Sequence, residues 1–175
     1  MGQRFYGSFV ITEKNNFMKK ISLAVLMIGL VFLGGSCKKD SNGNTIYKMS
    51  ANIDGKQWST IAPVGDLSSG ILVITGVSLT GEIIAVTVNG ETAGTYNISA
   101  LPPIAQCLGT YKATISQTSV DTYVSTAGKV VITKLDKTTK LASGTFEFSL
   151  INTANMALSK QITVGTFNDV TIIIR

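Results

Sequence analysis

Tyr47-Lys48-Met49-Ser50-Ala51-Asn52-Ile53-Asp54-Gly55-Lys56-Gln57-Trp58 is the stretch that decides the fold class. Tyr47, Met49, Ala51 and Ile53 alternate with Lys48, Ser50 and Asn52, the period-two pattern of a strand with one buried face. Asp54-Gly55 is a preferred two-residue hairpin turn, because both central positions need a positive φ. Counting outward from it pairs Ile53 with Lys56 and Ala51 with Trp58. The only tryptophan thereby falls on the face of Met49 and Ala51 and reads as core filling rather than as a stacking platform.

The same reading extends toward the C-terminus. Ile71–Leu79 and Glu82–Asn89 flank Thr80-Gly81, and Ile84, Val86 and Val88 define one apolar face. Asn89-Gly90 suggests a further tight hairpin. A strict two-residue turn there would put Tyr96 and Ile98 opposite to Ile84 and Val86, so a longer loop or a bulge near Gly94 is expected. Tyr111–Ile115, Thr122–Ser125, Lys129–Leu135, Thr145–Ile151, Gln161–Val164 and Val170–Ile174 read as later strands. Phe146, Phe148 and Leu150 point one way along theirs. In the last, Val170, Ile172 and Ile174 share a face, and a β-prone run of this kind must be covered. No crossover helix is available for parallel pairing. The expected architecture is all-β, an antiparallel β-sandwich or partly closed β-barrel of about nine to eleven strands.

A short motif recurs as Gly94-Thr95-Tyr96, Gly109-Thr110-Tyr111, Gly144-Thr145-Phe146 and Gly165-Thr166-Phe167. Its reading is structural: glycine permits a bend into a strand, threonine faces out, and the ring enters the core.

Of 175 residues, 45% are hydrophobic and only 14% charged, so the chain is too apolar for disorder and long enough for one domain. The N-terminus reads as an address. Met18-Lys19-Lys20 precedes an apolar run from Ile21 to Leu33, followed by Gly34-Gly35-Ser36-Cys37, in the order of a secretory signal peptide. The run is shorter than the ~20 residues of a spanning helix. A cysteine directly after small residues resembles a bacterial lipobox, with Gly34 where a leucine-like residue usually stands. Cys37 is therefore expected to be the lipidated mature N-terminus, carrying diacylglyceryl and palmitate-type chains. Residues 1–17 read as a spurious extension, 18–36 as the lipoprotein signal peptide, 37–44 as lipidated cysteine and flexible tether, and 45–175 as a single β domain. Loss of residues 1–36 removes Arg4, Lys14, Lys19, Lys20 and Glu13 and takes the net charge from +5 to +2. A nucleic-acid partner is not expected.

The signal peptide with Ser36-Cys37-Lys38-Lys39-Asp40, the Asn52–Trp58 hairpin, Val130–Asp136 and Ala142–Phe148 resemble small β-rich lipoproteins of Bacteroidota grouped as domains of unknown function. The resemblance implies a lipid-anchored protein of the bacterial cell envelope, most naturally the outer membrane. It transfers no catalytic residue.

The chain has no histidine and two cysteines, Cys37 and Cys107. That removes Ser-His and Cys-His pairs and most metal sites, so no metal and no cofactor are expected. Two-carboxylate hydrolysis stays formally open through Asp54, Asp66, Glu82, Glu91, Asp121, Asp136, Glu147 and Asp169, most of them in or beside turns, with Glu147 alone in mid-strand. Cys107 follows the apolar loop Leu101–Gln106 and reads as a buried inert thiol. Lys134, Lys137 and Lys140 cluster around the turn Asp136–Thr139 and are the candidate ligand-binding residues, suited to an anionic glycan. The expected function is a non-catalytic membrane-anchored module that binds a glycan or other ligand. The alternatives are an accessory subunit docked on an envelope protein and, last, a carboxylate-based hydrolase. A concave polar-aromatic groove favours the first; a flat apolar patch favours the second.

Overall fold

The computed structural model describes residues 47–98, 106–113 and 122–175, all within the compact unit Lys39–Arg175. Residues 1–46, with the signal segment and Cys37, lie outside this range, as do Leu101–Ala105, Ile115 and Asp121. The described chain is all-β with ten strands: β1 (Met49–Ile53), β2 (Lys56–Thr60), β3 (Val64–Ser68), β4 (Ile71–Val77), β5 (Ile83–Asn89), β6 (Gly94–Asn97), β7 (Cys107–Lys112), β8 (Thr122–Asp136), β9 (Leu141–Asn152) and β10 (Ser159–Ile174).

The first hairpin has the expected register, with Ala51 opposite Trp58 and Ile53 opposite Lys56. Asp54 and Gly55 hold φ of 48° and 80°, the geometry that aspartate and glycine tolerate best. Trp58 is buried to 3% exposure beside Met49 and Ala51.

Strand pairing closes a circuit β3-β4-β5-β7-β8-β9-β10-β3, a partly closed barrel. Two seams are narrow. β7 meets β8 only at Thr110–Lys112, and β3 meets β10 only at Gly65–Leu67 against Ile172–Ile174. The second seam is parallel, contrary to the antiparallel expectation. It needs no crossover helix because β3 and β10 are far apart in sequence, joined through the intervening strands, and share only three residue pairs. The β1–β2 hairpin extends the wall from β10, and β6 adds to β8.

β8 and β10 are each one long strand where the sequence pattern suggests two. Each carries two bulges, near Thr126 and Thr133 in β8 and near Val164 and Asp169 in β10. An extra residue at each bulge breaks the alternation and bends the strand. One edge of β10 thus serves β1 along its first half and β3 at its end, while β9 runs along the other edge. The β5–β6 hairpin expected from Asn89-Gly90 is not formed. β6 pairs with β8, while Tyr96 folds its ring over Gly90 and donates its hydroxyl to Thr92 O at 2.8 Å.

The core is the space enclosed by the circuit, filled by Leu72, Ile74, Ile84, Val86, Phe146, Phe148, Ile162, Phe167 and their neighbours. The C-terminal run is integral, with Val170 and Ile172 buried, while Ile174 at its end is part-exposed. The recurring Gly-Thr-aromatic motif finds its reason in β9 and β10. Gly144 pairs with Phe167 and Gly165 with Phe146, while Thr145 lies opposite Thr166. Neither glycine has a positive φ. They make room for rings rather than bends, which corrects the expectation from sequence.

Candidate functional site

Strand direction gathers one set of polar residues at one end of the barrel. The β1–β2 turn, the β4–β5 turn, the last residues of β7 and the first of β10 all lie there. They line a cleft of about 510 Å³ formed by Ile53, Asp54, Lys56, Gln57, Trp58, Glu82, Tyr111 and Lys160. That volume falls within the ~300–1,000 Å³ range of small-molecule pockets. Lys48, where the described chain joins β1, is at the opposite end, since Met49 pairs with Phe167 while Ile53 pairs with Ile162.

Two hydrogen-bonded couples organise the cleft. Tyr111 Oη donates to Glu82 Oε1 at 2.8 Å, and Thr80 Oγ1 donates to Oε2 at 2.9 Å. The indole N–H of Trp58 donates to Glu82 O at 3.3 Å, which anchors the β4–β5 turn to β2. Burial pushes the Tyr111 phenol far above its ordinary range, and the Glu82 carboxylate adds to the shift. At neutral pH Tyr111 is a fixed hydroxyl donor rather than a nucleophile. In the second couple Lys160 Nζ stands 2.6 Å from Asp54 Oδ2, and the Gln161 N–H donates to Asp54 Oδ1 at 2.9 Å. The lysine hydrogen bond holds the Asp54 carboxyl below its usual value and raises Lys160 above its own.

The lysines singled out from sequence lie at the other end. Lys134 pairs with Asp169 at 3.2 Å and Lys137 with Glu91 at 2.5 Å. Lys140 closes the β8–β9 turn with φ of 55°. Lys134 has a structural part, because Asp169 occupies a β10 bulge at φ 44° and its N–H donates to Ser143 Oγ of β9. Asp136 Oδ1 accepts the Thr138 and Thr139 N–H groups and so shapes its own turn. Glu147 is not alone: Lys129 stands 3.2 Å away. Cys107 is buried, with its thiol donating to Tyr96 O at 3.1 Å, and burial pushes that thiol up. Among the described residues no three His, Cys, Asp or Glu side chains gather as a metal site would require.

A second surface has a different character. The outward face of β3, β4, β5 and β7 carries exposed Val64, Ile71, Val77 and Leu108, continued by Ile173 on β10. Asp66, paired with Arg175 at 3.0 Å, and Lys112 are the charged residues on this face.

Asp54 and Trp58 were legible as hairpin residues, but the cleft was not. Glu82, Tyr111 and Lys160 are scattered through the sequence and meet only because the β4–β5 turn, the end of β7 and the start of β10 fall at the same end. A turn-parity count along the strands misleads, because β2 and β3 run in the same direction and the chain does not reverse between them.

No curated protein and no solved structure matches the chain. A family model described as a domain of unknown function, DUF6252, matches residues 47–171, from just before β1 into the last strand, and the chain belongs to that family.

Proposed function

We propose that the protein is a lipid-anchored module of the bacterial envelope, held through Cys37, that binds a glycan in the end cleft without catalysis. The observation that carries this reading is the cleft itself. It is concave, with fixed acceptors on Asp54 and Glu82 and donors on Lys56, Gln57 and Lys160 set over the buried rings of Trp58 and Tyr111. A sugar hydroxyl both donates and accepts, so it is served by both kinds of wall. The Tyr111–Glu82 couple suits binding rather than turnover, since the phenol is held protonated and its proton is already committed to the carboxylate. Lys48, where the described chain enters β1, lies at the end away from the cleft.

Glycan-array profiling of the purified protein, followed by titration of Tyr111→Phe and Glu82→Gln, tests this reading. Saccharide binding weakened by either change supports it. An array with no saccharide hit, or hits unaffected by both variants, rejects it. Mass spectrometry of the membrane-extracted chain tests the anchor: acyl chains on Cys37 and loss of residues 1–36 are expected, and an unmodified Cys37 in a continuous chain refutes it.

The accessory-subunit reading draws on the other surface. The exposed Val64, Ile71, Val77, Leu108 and Ile173 share one outward face, interspersed with Asp66, Thr75 and Thr87, and exposed apolar side chains of this kind are what a protein partner covers. Charge substitution at Ile71 and Leu108 that abolishes co-purification of an envelope protein, with glycan binding absent, would favour it.

A further inference from the structure

Asp54 is held more firmly than a hairpin turn requires. Its N–H donates to Gln161 O at 2.9 Å, the Gln161 N–H donates back to Oδ1 at 2.9 Å, and Lys160 Nζ stands 2.6 Å from Oδ2. Three contacts with β10 therefore fix the turn, the carboxylate and the ammonium as one unit at the mouth of the cleft. Both groups keep capacity for a ligand. A carboxylate offers about four lone-pair sites and an ammonium three donors, so among the described residues two acceptor sites and two N–H groups are uncommitted. The unit presents an acceptor and a donor side by side at a hydrogen-bond spacing.

A vicinal diol is the complement of such a pair. Its two adjacent hydroxyl oxygens are themselves about a hydrogen bond apart when gauche, so one donates to Asp54 while its neighbour accepts from Lys160. Charge does not oppose this. The ionic residues lining the cleft are Asp54, Glu82, Lys56 and Lys160, with no net charge. The cleft therefore has no net field to favour an acidic or a basic ligand over a neutral one.

We propose that the Asp54–Lys160 pair is the primary contact for a neutral saccharide carrying a free vicinal diol, with Gln57 and the Tyr111–Glu82 couple bordering the rest of the ring. This assignment rests on the glycan reading of the cleft. The pair is preorganised by Gln161, so little ordering is left to the moment of binding. Asp54 stays ionised into mildly acidic solution because Lys160 holds its carboxyl low, which keeps the acceptor in place.

The linkage of the probe separates the outcomes. Glucose polymers linked through O4 or O6 keep a vicinal diol in every internal ring, whereas internal rings linked through O3 have none. Titration of the full chain should give affinity for the O4- or O6-linked polymers and about tenfold or more weaker affinity for the O3-linked one, the effect of losing a hydrogen bond to a charged group. Periodate cleavage of the diols should abolish the preference. Asp54→Asn, which keeps a residue that tolerates positive φ, and Lys160→Gln should each lower affinity by a similar factor, with Trp58 emission reporting that the fold is retained. Lys134→Gln, at the opposite end, should bind as the native chain does. Saccharide binding indifferent to linkage, periodate or the Asp54 and Lys160 changes overturns the diol assignment and leaves the glycan reading standing. No binding of any saccharide overturns both.

Discussion

Phe146 of β9 lies over Gly165 of β10: a Cβ on that glycine would stand 2.6 Å from the ring and 2.5 Å from the Phe146 carbonyl oxygen. The arrangement is reciprocal, since Phe167 lies over Gly144 and the two rings stack with centroids 6.4 Å apart. Two glycines, each missing a side chain, let two phenylalanines pack where β9 and β10 cross the core.

Gly165→Ala should therefore destabilise the fold by overpacking, at a cost of ~1–3 kcal/mol. Gly144→Ala should cost at least as much, because its Cβ would also meet the Val131 carbonyl oxygen. Chemical denaturation of the single variants and of Gly165→Ala with Phe146→Leu checks this. The double variant should recover part of the loss, and strict additivity would mean that the ring is not the obstacle.

The β1–β2 hairpin was readable to the residue, because Asp54-Gly55 is strong turn chemistry and Ile53, Ala51 and Met49 alternate without interruption. β3 was not. Pro63 precedes it, and Gly65, Asp66 and Ser68 leave only Val64 and Leu67 as apolar residues; it is a strand because the end of β10 gives it a partner, with Gly65 leaving space for Ile172. β8 and β10 looked divided because Thr126, Val164 and Asp169 interrupt the alternation at bulges, which no local pattern tells apart from a loop. Lys134 looked available because sequence cannot show that Asp169 comes back beside it.

Stability should depend on pH through Asp54 and Lys160. A lowered carboxyl contributes fully above its unfolded value of ~3.9 and loses that contribution as pH falls through the folded value; a raised ammonium contributes fully below ~10.4 and loses it as pH rises through the folded one. Both ends are partly solvated, so the pair is worth about 0.2–1 kcal/mol, the size of a surface ion pair. The difference in urea midpoint between the native chain and Lys160→Gln should be greatest near neutrality and shrink as pH falls below about 3.9 or rises above about 10.4. A difference that stays constant across this range would show that the bond is not the source.

Trp58 should emit at short wavelength and resist acrylamide, being 3% exposed with its N–H committed to Glu82 O. Fluorescence of the folded chain decides this directly, and ready quenching would mean that the indole stands open at the cleft.

Cys107 should react with a thiol reagent only on unfolding. Its sulfur is buried and bonded to Tyr96 O, and burial disfavours the thiolate, which is the reactive form. Reaction kinetics across a urea series test this: labelling of Cys107 should track the unfolded fraction, and rapid labelling of the native chain would place the thiol at the surface.

Truncation after Asn168 should leave the domain unfolded or insoluble. The removed segment buries Val170 and Ile172, each worth ~1.5–3 kcal/mol, and carries the whole β3 seam. A soluble truncated chain with an unchanged melting temperature would show that the seam is dispensable.

That seam also sets a schedule. β10 is the last of the ten described strands, yet β1, β3 and β9 all pair with it, so the first hairpin gains its neighbour only once Ile162–Phe167 are in place, and β3 only once Ile172–Ile174 are. Such long-range closure is slow to nucleate, because the loop entropy is spent before the contacts return it.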